Sequence, residues 1–476
     1  MLDSNAMVLY FPGPRSVTGE DVLELHVHGG PAIVKAVMHA IPRCSETTGT
    51  IRPAEAGDFT RRAFMNDRMD LLQVEAMGDS LAAMTERQRR IAVRGSASEL
   101  GRQYEAWRQQ LLSARGELEA LIDFSEDQHF DESPSALVSS VALQVRTLHR
   151  AIEMHMANAM RGELLRSGVS ISLLGAPNAG KSSLLNRIVG REAAIVNAEA
   201  GTTRDVVEVA VDIGGFLVRF GDTAGLRRAI GVSTTNSGTI GAVEQEGIRR
   251  AKARAAESDL VIVVLSLEPC TTGFKLVIDP EVADTAATSL SQGRPLLFAV
   301  NKTDFLPSGT ADAEVRLARQ ISEAIPGAAA ATVRLISCTQ TGESGGIAAL
   351  LSTVTDMCAD MTHSLATESG EENDAALGAT ERQRALLAES AGHLEAFLAL
   401  ADTADRTDPG SDGHGGDAAA GGNDDIERDG QVDVVLAAEL LRLAAGSIAR
   451  LSGRSGEAGD VEEVLGVVFE RFCVGK

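Results

Sequence analysis

The chain has 476 residues, a length that predicts two or three domains. Its formal net charge of −23 argues against a broad basic face that binds nucleic acid by charge alone, so any RNA contact requires a local patch or a partner. The 5 cysteines form no CxxC pair, which excludes a disulfide framework and a cysteine zinc site and fits a reducing compartment.

No apolar run reaches the length of a transmembrane helix, and no signal or transit peptide is visible. The opening "MLDSNAMVLYFPGP" has the pattern of the middle of a domain. An N-terminal piece, with any targeting signal it carried, is therefore expected to be missing.

The first stretch, to about residue 67, has the pattern of a small mixed α/β domain. "VLELHVHGG" alternates apolar and polar side chains, which predicts a half-buried strand, and "PAIVKAVMHAI" has helical spacing. The polar positions Glu24, His26 and His28 also suit a metal ion, but no fourth ligand follows. A polar strand face is the simpler interpretation.

Residues 68–168 have a helical pattern. Apolar residues recur every three or four positions, at Leu71, Val74, Met77, Leu81 and Met84 and again at Leu111, Leu118 and Ile122. A further helix is predicted from Leu137 to about Leu165.

From residue 169 the chain alternates short apolar runs with helical stretches. The runs are "VSISLLG", "FLVRFGD", "DLVIVVLSL", "PLLFAVNK" and "ATVRLIS". This alternation predicts a mostly parallel sheet covered by helices on both faces.

Helices return after about residue 357, in "ATERQRALLAESAGHLEAFLALA", "VDVVLAAELLRLAAGSIARL" and "VEEVLGVVFERF". The acidic, glycine-rich segment at about 401–430 cannot bury enough apolar surface to order itself, so it is predicted to be a disordered insertion. Residues 367–374 have a similar composition, and residues 227–242 form a third predicted loop.

The segment "GAPNAGKSS" (175–183) follows a strand and opens a helix, and so matches the G-x-x-x-x-G-K-S phosphate loop in the context that the motif requires. Gly175 and Gly180 allow successive backbone N–H groups to face a phosphate. Lys181 is expected to reach the β- and γ-phosphates, and the Ser182 hydroxyl to ligate Mg²⁺. The flanking strand and helix disfavour the alternative, a chance glycine loop.

The segment "NKTD" (301–304) predicts that the nucleotide is GTP. The carboxylate of Asp304 can accept from both N–H groups on the Watson–Crick edge of guanine, whereas the edge of adenine does not match it. Asn301 and Lys302 are expected to brace this pocket, and "ISC" (336–338) to supply the last base-contacting loop.

Two further segments complete the predicted site. "DTAG" (222–225) places Asp222 near Mg²⁺ and Gly225 at the γ-phosphate, and "GTTRD" (201–205) offers Thr203 as a second hydroxyl for Mg²⁺. The full set of predicted GTP contacts is Asn178, Ala179, Gly180, Lys181, Ser182, Ser183, Thr202, Thr203, Asp222, Thr223, Ala224, Gly225, Asn301, Lys302, Asp304, Ser337 and Cys338.

Leu226 follows Gly225, at the position where Ras-like GTPases carry the glutamine that orients the attacking water. Leucine cannot do this, and the sequence identifies no arginine finger, so either hydrolysis is slow or the missing functions come from elsewhere. Asn178 is one candidate, because an amide oxygen can ligate a monovalent cation beside the phosphates. The alternative is an ordinary loop asparagine that satisfies backbone groups.

The phosphate loop, "GTTRD", "DTAGLR" and the terminal "FCVGK" together resemble the MnmE (TrmE) family of tRNA-modification GTPases, as do "PGPRSVTGEDVLELHVHGGP" and "RPAEAGDFTRRAFMNDRMDLLQVEA". The resemblance covers nearly the whole chain apart from the three insertions. It implies an α/β P-loop GTPase domain inserted in an all-helical domain, preceded by a small α+β tetrahydrofolate-binding and dimerising domain. The expected boundaries are 1–67 for the folate domain, 68–168 and 357–476 for the two helical parts, and 169–356 for the G domain.

In the family that this chain resembles, the G domains pair across a dimer and K⁺ takes the place of an arginine finger. Carried over, the K⁺ ligands are Asn178, Asn197, Glu199 and Thr202, with backbone carbonyls expected to act at positions 197 and 199. The water-orienting carboxylate of the family corresponds to Glu244, for which a surface helix carboxylate is the alternative.

The resemblance also implies a folate pocket that includes Glu24 and Arg68, the latter at a position where the family usually has lysine. Cys473 has the outline of a prenylation box, but Gly475 and Lys476 fit that box poorly. By resemblance, Cys473 lies near the one-carbon group of 5,10-methylene-tetrahydrofolate and Lys476 faces its carboxylates.

The resemblance implies a homodimer that hydrolyses GTP with Mg²⁺ and K⁺. It also implies an MnmG (GidA)-like flavoprotein partner that carries FAD, with which it adds an aminomethyl-type group to C5 of the wobble uridine of tRNA. No membrane anchor is expected. The low-complexity insertions favour the mitochondrial over the bacterial cytoplasmic branch. The alternative function is a regulatory or ribosome-assembly GTPase that acts as an RNA- or protein-binding switch, which the acidic balance and helical flanks disfavour.

Overall fold

The computed structural model separates into two units. Unit 1 comprises Met1–Ala82, Ile91–Ala159 and Leu365–Lys476, and unit 2 comprises Ala83–Arg90 and Met160–Ser364. The structure describes residues 1–44, 51–96, 99–124, 134–192, 194–197, 209–221, 253–270, 273–306, 311–340, 345–363, 379–405 and 433–453.

The helices, in chain order, are α1 (Pro31–Ala40), α2 (Asp58–Met65), α3 (Leu71–Ala82), α4 (Glu86–Ser96), α5 (Glu99–Phe124), α6 (Pro134–Ser167), α7 (Lys181–Arg187), α8 (Pro280–Ser291), α9 (Ala311–Ala324), α10 (Ile347–Thr362), α11 (Glu381–Asp405) and α12 (Val434–Ser452). The strands are β1 (Met7–Phe11), β2 (Val22–His26), β3 (Val169–Leu174), β4 (Ala194–Asn197), β5 (Val209–Ile213), β6 (Phe216–Phe220), β7 (Leu260–Cys270), β8 (Gly273–Val277), β9 (Leu296–Asn301) and β10 (Thr332–Leu335). Among the described helices, none combines the length and apolar character that crossing a bilayer requires.

Unit 1 begins with an antiparallel ribbon in which β1 pairs with β2, Met7 lying opposite His26. The predicted strand and the following helix α1 are present. The expected half-burial of β2 is wrong, because Leu23 and Leu25 are 59% and 38% exposed. A two-stranded ribbon has no layer of its own to cover its faces, and in the described chain its side chains stay exposed.

The core of unit 1 is formed by helices from both ends of the chain. Helices α5, α6, α11 and α12 share one hydrophobic cluster, whose fully buried members include Leu111, Leu118, Ile152, Phe397 and Leu441. Each such side chain contributes about 1.5–3 kcal/mol through its removal from water. The core of this unit therefore depends on segments that precede and follow the α/β part of the chain.

The apolar residues that recur at helical spacing are buried along most of this region, as Leu71, Val74, Leu111 and Leu118 show. Leu81 and Met84 share the spacing but are 49% and 42% exposed. Leu81 lies in the last turn of α3 and Met84 in the connection to α4, where the helical period no longer decides which side faces the core.

The predicted insertion at about 401–430 begins later than expected, because α11 continues to Asp405. Its remainder lies outside the described residues, as do residues 367–374, residues 227–242 and the predicted helix "VEEVLGVVFERF".

A largely buried ion pair connects α3 with α11 inside unit 1. Arg382 donates to the Glu75 carboxylate through Nε at 2.7 Å and through Nη2 at 3.1 Å, and the Glu75 side chain is only 8% exposed. Arg382 also donates to the carbonyl oxygens of Arg450 at 3.2 Å and Leu451 at 3.0 Å, at the end of α12. One guanidinium therefore fixes three helices.

Unit 2 is built on a sheet with the strand order β10-β9-β7-β3-β6-β5-β4, with β8 beside β7. The five predicted runs form the parallel centre, in which Leu174 lies opposite Val263 and Ser266 opposite Asn301. Strand β9 and the first eight residues of β7 are buried throughout, which agrees with their continuous apolar sequence. The antiparallel strands β4, β5 and β8 were not predicted.

Glu75→Ala is expected to lower the free energy of unfolding by about 3 kcal/mol, because it leaves the largely buried Arg382 guanidinium without its carboxylate. Denaturant titration followed by circular dichroism measures the loss. Glu439→Ala is the matched control, since it removes the carboxylate of an exposed pair with Arg442 on α12 and should change stability little. Equal losses in the two variants would contradict a structural role for the buried pair.

Candidate nucleotide-binding site

The predicted phosphate loop lies between the end of β3 and the start of α7, at the carboxyl end of the parallel strands. The loop turns through the left-handed region twice, at Asn178 with φ of 60° and at Gly180 with φ of 107°. It then enters α7, whose first backbone N–H groups have no partner within the helix. The loop and the helix start thus present N–H groups of the kind that bind phosphate.

The two glycines of the motif are required by close approach of neighbouring atoms. A Cβ added at Gly180 would lie 1.9 Å from Nδ2 of Asn301, and one added at Gly175 would lie 2.4 Å from the carbonyl oxygen of Val264. No real Cβ tolerates such distances, so both positions exclude every other residue unless the neighbours move.

Lys181 closes the phosphate loop with its own ammonium group. Its Nζ donates to the carbonyl oxygens of Gly175 at 2.6 Å and Ala176 at 2.8 Å. Burial lowers the pKa of Lys181, since desolvation disfavours the charged form. The ammonium group is therefore held at the loop where phosphate oxygens would replace the two carbonyls.

The buried side chain of Asn301 joins the phosphate loop to the base loop. Asn301 is 3% exposed; its Nδ2 donates to the carbonyl oxygen of Ala179 at 2.9 Å, and its Oδ1 accepts from the backbone N–H of Cys338 at 3.3 Å. Because Asn301 ends β9, the sheet sets the position of both loops.

The Asp304 carboxylate is oriented by the neighbouring loop. The Ser337 hydroxyl donates to Oδ1 of Asp304 at 2.8 Å, and the Thr303 hydroxyl donates to the carbonyl oxygen of Ile336 at 2.9 Å. Lys302 turns the chain with φ of 67°, which carries Asp304 out of the strand. Within the described chain no donor contacts Oδ2 of Asp304, so this oxygen is free to accept from a base.

The structure brings one part of the predicted nucleotide site together. Ala179 is buried, Ser182 and Ser183 are exposed on the first turn of α7, and the backbone of Asn197 ends β4. The predicted residues that lie outside the described chain are Glu199, Thr202, Thr203, Asp222, Thr223, Ala224, Gly225, Glu244, Cys473 and Lys476.

The predicted folate residues Glu24 and Arg68 belong to unit 1. Arg68 lines a cavity of about 390 Å³ with Phe64, Asp70, Gln73 and Ser452 among its walls, and Glu24 is not among the described residues that line it. Within the described chain Arg68 forms no side-chain hydrogen bond or ion pair.

The histidines of β2 and its flank have carboxylate partners. His26 lies 3.1 Å from a carboxylate oxygen of Glu24, and His28 lies 2.7 Å from one of Asp3. In the described ranges no group of three or more His, Cys, Asp or Glu side chains is arranged to hold a metal ion.

Sequence reasoning missed two residues that organise the base loops. Thr303 stands inside "NKTD", where its hydroxyl could have been recognised as a hydrogen-bond donor. This hydroxyl donates to the carbonyl oxygen of Ile336. Arg187, at the end of α7, donates to the carbonyl oxygen of Gln340 at 2.6 Å, and no motif marks it.

In the parallel sheet, β3 leads through a glycine loop into α7, and Asn301 and Asp304 lie beside that loop. This arrangement defines a P-loop protein of the GTP-binding class. The family model described as MnmE helical domain matches residues 71–473, and the one described as GTP-binding protein TrmE N-terminus matches residues 1–68. The chain belongs to the MnmE family.

Curated relatives agree with this assignment. The mitochondrial 5-taurinomethyluridine-[tRNA] synthase subunit GTPB3 of Homo sapiens is 36% identical over 99% of this chain and 81% of its own length. The tRNA modification GTPase MnmE of Parvibaculum lavamentivorans is 38% identical over 99% of this chain and 86% of its own length. A solved structure of Era from Aquifex aeolicus covers 47% of this chain and 66% of its own at 20% identity, with a TM-score of 0.27, too low to support an argument.

Asp304→Asn is expected to lower the affinity for GTP roughly 100-fold or more and to favour xanthosine triphosphate instead. The amide would place a donor against the donors of guanine, whereas xanthine offers an acceptor at that edge. Competition against a fluorescent guanosine diphosphate analogue measures both affinities. Asp284→Asn, an exposed change of the same type on α8, is the control. An unchanged preference for GTP in Asp304→Asn would reject the assigned role.

Proposed function

We propose that this chain is a GTP hydrolase that acts in the modification of the wobble uridine of tRNA. Membership of the MnmE family supports the proposal, and so do relatives that are named tRNA modification GTPase and 5-taurinomethyluridine-[tRNA] synthase subunit. The observation in the structure that carries the GTP part is the Asp304 carboxylate, oriented by Ser337 beside the phosphate loop.

Guanine recognition follows from the free oxygen of that carboxylate. Ser337 takes one lone pair of Oδ1 of Asp304 and leaves Oδ2, together with the second lone pair of Oδ1, to accept from the two N–H groups of the base. Asn301 keeps this loop at a fixed separation from the phosphate loop, because it bonds to Ala179 on one side and to Cys338 on the other. A nucleotide that spans the two loops would therefore be contacted at its phosphates by one loop and at its base by the other.

Mg²⁺ fits the described residues at one point. The Ser182 hydroxyl lies exposed on the first turn of α7, next to Lys181, where a phosphate-bound Mg²⁺ takes a hydroxyl ligand. Bound there, Mg²⁺ supplies neutralisation of the charge that develops on the phosphates. Lys181 adds its own charge, and Thr203 is the proposed second hydroxyl.

K⁺ is the proposed substitute for an arginine finger, with Asn178, Asn197, Glu199 and Thr202 as its ligands. The side chain of Asn178 is exposed at the turn of the phosphate loop, and it forms no hydrogen bond within the described part of the chain. Its amide oxygen is therefore not committed to the backbone. Glu244 is the proposed carboxylate that orients the attacking water.

GTP turnover is expected to be at least roughly tenfold faster in KCl than in NaCl at equal ionic strength. The proposed site fits K⁺, which stabilises the charge that develops in the transition state, and Na⁺ is too small for it. Asn178→Ala should lower the rate in KCl towards the rate in NaCl and leave GDP affinity near that of the unmodified chain. Asn186→Ala, an exposed asparagine on α7, is the control. Phosphate release measured in both salts decides the matter, and equal rates would reject the cation mechanism.

The one-carbon chemistry is proposed for unit 1. A tetrahydrofolate derivative carries carboxylates, and Arg68, which has no side-chain partner among the described residues, presents a cation in a cavity of about 390 Å³. Lys476 is the proposed second cation, Glu24 a further pocket residue, and Cys473 the thiol near the one-carbon group. The bound 5,10-methylene-tetrahydrofolate would supply the carbon.

The proposed working assembly is a homodimer with an MnmG (GidA)-like flavoprotein that holds FAD, acting on tRNA. The proposed compartment is the mitochondrion, because the human relative is a mitochondrial protein, with the cytoplasm as the alternative for a bacterial source. We propose that these functions are divided among the domains predicted from the sequence, which are 1–67, 68–168 with 357–476, and 169–356.

Deletion of the gene is expected to remove the aminomethyl-type substituent from the wobble uridine of its target tRNAs. Mass spectrometry of tRNA nucleosides measures the loss. Complementation with the unmodified chain should restore the substituent, and Cys473→Ser should fail to restore it while it retains GTP turnover. Unchanged wobble uridine in the deletion strain would overturn the proposal and favour a regulatory or ribosome-assembly GTPase.

A further inference from the structure

Arg187 provides a second connection between the phosphate-binding segment and the base loop. It is the last residue of α7, the helix that begins at Lys181, and its Nη2 donates to the carbonyl oxygen of Gln340 at 2.6 Å. Its Nε is buried and has no hydrogen-bond partner among the described residues. The guanidinium is thus held at the base loop by the hydrogen bond from Nη2 to Gln340.

Gln340 is connected to the Asp304 carboxylate through a single hydroxyl. The backbone N–H of Gln340 donates to Oγ of Ser337 at 3.4 Å, and the same hydroxyl lies 2.9 Å from Oγ1 of Thr339. Since Ser337 donates its proton to Asp304 at 2.8 Å, it must accept from Thr339 and Gln340. The sequence of bonds from Arg187 to Gln340 to Ser337 therefore ends on the carboxylate that reads the base.

The loop is held at two points that follow Ser337 in the chain. Asn301 holds it at the N–H of Cys338, and Arg187 holds it at the carbonyl of Gln340. The first bond is 3.3 Å long and joins neutral groups, whereas the second is 2.6 Å long and has a charged donor. A charge-assisted bond of this length is the stronger of the two types.

We propose that Arg187 is a positioning residue for guanine recognition, which acts by holding the loop that orients Asp304. This inference rests on the proposed function, because it takes a guanine nucleotide as the ligand. This role requires no contact between Arg187 and the base or the phosphates. Its effect is on the discrimination between bases rather than on the hydrolysis step.

Two substitutions separate positioning from general stability. Arg187→Met keeps the aliphatic stem and removes the guanidinium, and Arg187→Lys keeps one charged donor without the planar fork. Arg319→Met is the matched control, since Arg319 is an exposed arginine of the same unit that pairs with Glu323 on α9. Thermal unfolding of each variant reports whether the fold is retained.

The decisive measurement is kcat and KM for GTP and for inosine triphosphate, which lacks the 2-amino group that Asp304 accepts from. Arg187→Met is expected to raise KM for GTP about tenfold, the factor that one charge-assisted hydrogen bond corresponds to, with kcat within about twofold. Its preference for GTP over inosine triphosphate should fall by a similar factor. Arg187→Lys should fall between Arg187→Met and the unmodified chain, and Arg319→Met should match the latter.

A double-mutant cycle tests the path through Ser337. If Arg187 acts through that hydroxyl, Arg187→Met should add little to the loss of base preference that Ser337→Ala already causes. Additive losses, or an unchanged base preference in Arg187→Met, would overturn the inference while leaving the proposed GTPase intact. Absence of GTP turnover in the unmodified chain would instead overturn the proposed function, and the inference with it.

Discussion

The buried side-chain amide of Asn301 fixes the geometry on which the nucleotide site depends. An amide offers a donor and an acceptor at a fixed separation, and here the donor meets Ala179 of the phosphate loop while the acceptor meets Cys338 of the base loop. Left unpaired at this depth, each of these polar groups would cost about 1–3 kcal/mol. The same amide occupies the space that a Cβ of Gly180 would need, so the glycine of one motif is required by the asparagine of another.

The sheet explains why one side chain can carry this role. Asn301 ends β9, which is buried along its whole length and paired with β7 as far as Ser266. Functional groups on such strands are held more closely than groups on loops, because the register leaves them no freedom to slide. The loops of the candidate site then need few bonds of their own, and among these are the bonds made by Asn301, Thr303, Ser337 and Arg187.

The sequence predicted the parts of the fold that depend on local pattern. Continuous apolar runs identified the parallel strands, and spacing with glycine chemistry identified the phosphate loop, because each of these signals is contained in a few adjacent residues. The exposure of Leu23 and Leu25 could not be predicted, since alternation shows which side chains share a face but not whether anything covers it. Antiparallel β4, β5 and β8 were missed because each has only four or five residues, too few for its apolar pattern to be told from a loop or a helical turn.

The same distinction between predictable and unpredictable features applies to the residues of the candidate site. Lys181, Asn301 and Asp304 were predictable because each stands in a short motif of adjacent residues whose types are prescribed. Arg187 was not, because its partner is a backbone carbonyl. Any residue at position 340 offers that carbonyl, and no pairing of residue types in the sequence can reveal the contact. Hydrogen bonds from side chains to backbone groups are therefore the contacts of a site that are hardest to predict from a single sequence.

The position of Lys181 has a consequence for nucleotide binding. Its ammonium now bonds to two neutral carbonyl oxygens, and burial lowers its pKa. A phosphate in place of those carbonyls would favour the charged form, so the pKa rises when nucleotide binds. Affinity is then greatest at a pH where Lys181 is protonated in both states, and it falls as the pH rises through the pKa of the nucleotide-free protein. The cost of burying the ammonium is thus recovered when phosphate binds.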